Sequence, residues 1–86
     1  MNTYVMTTRG TIENTAGFLS DLVENKTTPL NRNYEDLKFN GMDWESSFKD
    51  SRAIINFSTA STVSRNDIAT IREQYGLKVT NRKSGE

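Results

Sequence analysis

The triplet Asp36-Leu37-Lys38 is the most enzyme-like arrangement in this chain of 86 residues. A carboxylate two residues ahead of a lysine, with another acid upstream such as Asp21, is the spacing of many magnesium-dependent nucleases. There the carboxylates hold the ion, and the lysine steadies charge on the attacking water or the phosphate. A plainer role also fits. On a strand, Asp36 and Lys38 share the solvent side of an amphipathic hairpin, with Lys38 facing Asp43 across it. Three-residue matches arise often by chance, so the plainer role is preferred. Asp43 and Glu45 as an acid and base pair meet the same objection, because both fall on the wet face.

The chain contains no histidine and no cysteine. That removes the usual general base, the thiolate metal ligands and both common nucleophile partnerships. The glycines are isolated from one another and build no phosphate loop. Ser64-Arg65-Asn66 offers free N–H groups and Arg65 to a phosphate, but Asp67 in the same turn opposes an anion. A helix cap accounts for that stretch better. The expectation is a protein without catalysis, cofactor or metal.

Binding is what remains, and charge suggests where. Eleven basic and eleven acidic residues leave a formal net charge of zero. The stretch from Asn33 to Asp50 holds Glu35, Asp36, Asp43, Glu45 and Asp50 against Lys38 and Lys49. Tyr34 shares the strand parity of Asp36 and Lys38, so it is expected to be exposed beside them. Tyr34, Glu35, Asp36, Asp43, Glu45 and Asp50 therefore form the candidate surface for a protein partner with a basic face, including a face that normally holds nucleic acid. An inhibitor, antagonist or adaptor acts in this way, with the charges setting association rate and specificity. The alternative is a nucleic-acid-binding regulator using Arg65, Arg72, Lys78, Arg82 and Lys83. It is favoured less, because scattered bases are not a patch.

These residues need elements to position them. Thr3 to Arg9 is rich in β-branched residues and reads as a strand ended by Gly10. Thr11 caps a helix whose stripe is Ile12, Ala16, Leu19, Leu22 and Val23, with Phe18 at its edge. Gly17 inside that helix is expected to allow close packing on the sheet. Pro29 to Asn33 reads as a loop.

The stretch from Tyr34 to Glu45 then reads as a hairpin turning at Asn40-Gly41, the dipeptide suited to a type I′ turn. Its apolar face is Leu37, Phe39, Met42 and Trp44, and Trp44 is expected to be core. Ala53 to Thr59 has apolar residues on both faces, which points to a central strand. Ser64 caps a second helix with Ile68, Ile71 and Tyr75 inward, and Gly76 followed by Leu77 ends it. Lys78 to Thr80 adds a short strand, and 81–86 reads as a frayed tail after a single domain over 1–80.

From Thr11 to Tyr75 the expected order, α-β-β-β-α, resembles that of the double-stranded RNA-binding domain. In that family a cluster of lysines opening the second helix meets phosphates across a groove. The matching stretch here is Ser64-Arg65-Asn66-Asp67, with one base and one acid.

The fold class expected is α+β. A small antiparallel sheet, a three-stranded meander plus the N-terminal strand, carries two helices on one face in the order β-α-β-β-β-α(-β). Hydrophobic residues make up 34% of the chain, so its core is small and self-association into a homo-oligomer is a natural way to bury more surface. No run reaches membrane-spanning length and no secretion signal opens the chain, which points to a cytoplasmic protein. Size and composition suit the accessory proteins of phages and mobile elements.

Overall fold

The computed structural model describes residues 1–84. Its first strand, β1 (Asn2–Gly10), places Tyr4, Met6 and Thr8 on one face, all buried. Helix α1 (Ile12–Ser20) begins at Thr11, whose hydroxyl accepts the Asn14 N–H at 3.1 Å. A π-helical turn over Asp21–Asn25 prolongs it until Lys26 turns left-handed at φ 56°. A short helix α2 (Pro29–Asn33) and strands β2 (Lys38–Ser46) and β3 (Ser51–Thr59) follow. Helix α3 (Arg65–Tyr75) and strand β4 (Lys78–Ser84) complete the chain.

The strands make one antiparallel sheet in the order β2-β3-β1-β4. Tyr4 lies opposite Phe57 and Met6 opposite Ile55, while Thr8 is flanked by Ala53 and Val79. That face of the sheet is covered by Phe18, Leu19 and Leu22 from α1 and its π turn, and by Ile68 and Ile71 from α3. The other face carries no helix among the described residues. A β-α-β-β-α-β order with β1 and β3 central is a split βαβ arrangement. The α+β class, the antiparallel four-stranded sheet and the two main helices on one face agree with expectation.

Several local expectations change. Asn40-Gly41 is not a turn. It is a bulge inside β2, where the register steps from Phe39↔Phe57 to Gly41↔Asn56. A type I′ turn needs positive φ at both central residues, and neither residue has it. The actual turn lies later, where the Ser47 N–H donates to the Asp50 carbonyl at 2.8 Å. The meander therefore has two strands between the long helices, which removes the resemblance to the double-stranded RNA-binding domain. The expected faces of the hairpin survive all the same, because one extra residue in a strand preserves the shared side of Phe39, Met42 and Trp44.

The stripe of α1 is also rotated. Thr15, Phe18, Leu19 and Leu22 are buried, while Ile12 and Val23 are 43% and 47% exposed. Gly17 faces outward, with nothing within 4 Å of where a Cβ would stand, so it serves no close packing. The expected loop at Pro29 is helix α2. Thr28 and Asn31 exchange a capping box there, and Pro29 fits the first turn. Strand β4 continues through Asn81 to Ser84, which corrects most of the frayed tail expected over 81–86; Gly85 and Glu86 lie outside the described residues.

The cap and stop of α3 match expectation. Ser64 accepts the Asn66 N–H, and Gly76 adopts φ 64° and donates its N–H to the Arg72 carbonyl at 2.9 Å.

Candidate binding surfaces

Strand order decides which residues reach a partner. β2 is an edge strand, paired with β3 on one side only. Its backbone presents unpaired groups along the other side. On the helix side of the sheet, Leu37 and Phe39 pack against the core, but Met42 and Trp44 lie beyond the helices and are 39% and 47% exposed. Trp44 was expected in the core. The helices sit over β1, β3 and β4 and leave the far half of β2 uncovered, so it lies on the surface. The Trp44 indole N–H donates to Ser51 Oγ, which fixes the ring against the sheet margin. Phe48, at the tip of the β2–β3 turn, is 89% exposed and continues the apolar strip. A groove of about 300 Å³ between the π turn and β2 extends it the other way, past Val23, Leu37 and Phe39.

Asp43 and Glu45 point from the same strand to the helix-free face, opposite Ile54 and Arg52. Glu45 Oε1 lies 3.8 Å from Arg52 Nη2, while Asp43 makes no ion pair among the described residues. The rest of the expected acidic cluster is engaged elsewhere. Asp50 holds Arg9 through Nη2 at 3.0 Å. Asp36 accepts the Thr59 hydroxyl at 2.6 Å and the Ala60 N–H at 2.7 Å, which clamps the lead into β2 to the end of β3. The Thr59 and Ala60 hydrogen bonds hold its carboxyl below the usual value of 3.8.

Tyr34 is not exposed, contrary to its strand parity. It precedes β2 and follows α2, so no strand register governs it, and it is only 7% exposed. Its hydroxyl is tied to Asp67 and to the Ser64 N–H. Glu35 is exposed and, like Asp43, unpaired among the described residues.

The two acids of the metal-dependent reading lie on separate elements and are each engaged by neighbouring groups. Asp21 accepts from Asn25 Nδ2 at 2.8 Å and from the Tyr75 hydroxyl at 2.7 Å, on the π turn, while Asp36 is clamped to β3. No group of three His, Cys, Asp or Glu residues able to hold a metal lies among the described residues.

The basic set divides in two. Alternation along β4 places Lys83 on the helix side, opposite Tyr4, and sends Lys78 and Arg82 to the open face, opposite Arg9 and Val5. Arg65 and Arg72, on α3, share a cleft with Lys83. The five residues thus do not form one patch. No helix among the described residues is long and apolar enough to cross a membrane.

The surface residues that the sequence concealed are Met42, Trp44 and Phe48. Their alternation reads equally as core, and only the position of β2 at the sheet edge exposes them.

The sequence matches no protein-family model and no curated protein. Solved structures share the fold at low identity. An unknown protein from Galdieria sulphuraria is similar with TM-score 0.67 and 11% identity over 99% of this chain, which spans 46% of that one. An ACT domain protein from Streptococcus pneumoniae is similar with TM-score 0.60 and 10% identity, over 95% of this chain and 89% of that one. The C-terminal domain of the MgtC protein from Mycobacterium tuberculosis gives TM-score 0.67 and 7% identity, over 98% of this chain and 88% of that one. At these identities the likeness is one of fold.

Proposed function

We propose that this protein is a non-catalytic binding domain that engages a protein partner along strand β2. It acts as an inhibitor, antagonist or adaptor. The observation that carries this reading is the exposed Met42 and Trp44 on an edge strand, with Phe48 on the turn beyond them and Asp43 and Glu45 on the strand's other face. Tryptophan anchors at the centre of an apolar strip dominate binding energy, and a charged rim selects the partner and speeds encounter. A partner with an apolar centre and a basic margin fits this surface. Asp43 and Glu45 keep the role expected of them, Asp36 and Asp50 serve the fold, and Tyr34 supports it from inside. The fold shared with the small ACT and MgtC C-terminal units is compatible with a binding or regulatory role.

The test begins with a photo-crosslinking residue at position 44, used in the native host to capture the partner. Association with the purified partner is then timed. Asp43→Lys with Glu45→Lys should slow association by roughly tenfold, and Trp44→Ala should weaken binding by about 2 kcal/mol or more. Rates untouched by both changes remove the proposal.

A second reading is favoured by the sequence of β2 itself. If two copies pair their β2 edges antiparallel about a two-fold axis at Met42, with Asn40 bulged out, Phe39 of one faces Trp44 of the other. Lys38 of one then faces Glu45 of the other, an opposite-charge pair repeated by symmetry. Sedimentation equilibrium of wild type against Lys38→Glu separates the readings. A dimer lost in the variant supports self-pairing, and a monomeric wild type excludes it.

A further inference from the structure

On the opposite edge of the molecule from β2, α3 and β4 enclose an open cleft of about 420 Å³. Its polar walls are Arg65, Arg72 and Lys83, with Tyr4 and Asn81, and Ile68 contributes an apolar part. No acidic side chain among the described residues lines it. None of the three cations forms a salt bridge among the described residues. Three like charges gathered in one concave site focus a positive potential that a dispersed surface does not.

The cations are also prepared for a ligand. Arg72 donates Nε and Nη2 to the Val79 carbonyl, at 3.0 and 2.8 Å, which fixes the guanidinium plane along β4 and leaves Nη1 without a partner among the described residues. A fixed guanidinium suits the oxygens of a phosphate. The Tyr4 hydroxyl accepts the Val63 N–H at 3.1 Å, and its own proton has no acceptor among the described residues.

We infer that this cleft binds a small phosphate ester of the sugar phosphate or nucleotide class. Arg65, Arg72 and Lys83 meet the phosphate, the Tyr4 hydroxyl donates to a ligand oxygen, and Ile68 receives the organic part. The volume lies within the range of small-molecule sites and exceeds what inorganic phosphate alone would fill. The site shares no residue with β2, so it stands or falls independently of the partner surface.

Thermal shift and calorimetry with glucose 6-phosphate, AMP, inorganic phosphate and sulfate test it on the intact protein. An ester at about tenfold its Kd should raise Tm by roughly 5 to 10 °C. Arg65→Gln and Lys83→Gln, both at exposed positions, should each weaken binding by about tenfold or more while leaving the unliganded Tm unchanged. Two results overturn the inference: no shift with either ester, or equal binding by wild type and both variants. Binding by inorganic phosphate and sulfate with no gain from the ester overturns the assignment of ligand class. A single-stranded oligonucleotide that displaces the ester, and whose binding falls in a Lys78→Gln, Arg82→Gln variant, overturns it in favour of a nucleic-acid backbone along β4.

Discussion

The Tyr34 hydroxyl donates to Asp67 Oδ2 at 2.7 Å while accepting the Ser64 N–H at 2.8 Å. One phenol therefore joins the segment entering β2 to both the cap and the first turn of α3. Asn33 Nδ2 reaches the other Asp67 oxygen at 2.9 Å, so the carboxylate is held from two adjacent residues. Tyr34→Phe keeps the ring, leaves the Ser64 N–H without its acceptor and leaves Asp67 with Asn33 alone. We expect a loss of about 1 to 3 kcal/mol, read as a lower urea midpoint with an unchanged m-value.

Stability should have two pH limbs. On the alkaline side, burial and then the Asp21 hydrogen bond push Tyr75 up to about 12 from 10.0. Because the folded value is the higher one, its contribution is full below 10.0 and is lost as pH rises through about 12. On the acid side, Asp36 and Asp21 are held below 3.8, Asp36 by Thr59 and Ala60, Asp21 by Asn25 and then Tyr75. Their contributions are present above 3.8 and fade as pH falls through the lowered values. Asp36→Asn should therefore lower Tm at neutral pH, and its curve should approach that of wild type on the acid side of 3.8. A constant gap across that range counts against the clamp.

Two glycines should respond in opposite directions to alanine. Gly17→Ala, in an exposed helical position with open space around it, should stabilise by up to about 1 kcal/mol. Gly76→Ala meets a φ of +64° and places its Cβ 3.1 Å from Asn14 Nδ2. A cost of about 1 to 2 kcal/mol is expected there. Chemical denaturation of the pair checks both.

Trp44 offers a direct measure of the edge. Its indole should be accessible to acrylamide, and Met42→Ser with Phe48→Ser should change stability by no more than about 1 kcal/mol. Strong protection of the Trp44 emission in the dilute monomer would contradict the uncovered edge.

Legibility followed range along the chain. The cap at Ser64, the stop at Gly76 and the central place of Ala53 to Thr59 depend on neighbours within a few residues, and each is readable there. Asn40-Gly41 misled because its turn propensity is local, while pairing of β2 with the whole of β3 outweighed it. Thr15 concealed the true stripe of α1, since a threonine at a buried position reads as polar. The acidic cluster was contiguous in sequence only. Asp36 and Asp50 found partners from β3 and β1, and no spacing rule foretells contacts across a sheet.

The bulge at Asn40-Gly41 gives β2 one residue more than β3 needs between Phe39 and Met42. Remove that residue and a single one stands opposite Asn56, so Met42 and Trp44 stay opposite Ile55 and Ala53 on the helix side. Loss of Asp43 has the opposite effect. With the pairing up to Met42 kept, Trp44 and Glu45 change sides, and the apolar margin is exchanged for an acidic one. The strand can lose a codon at its bulge and keep both faces, but not two positions further on.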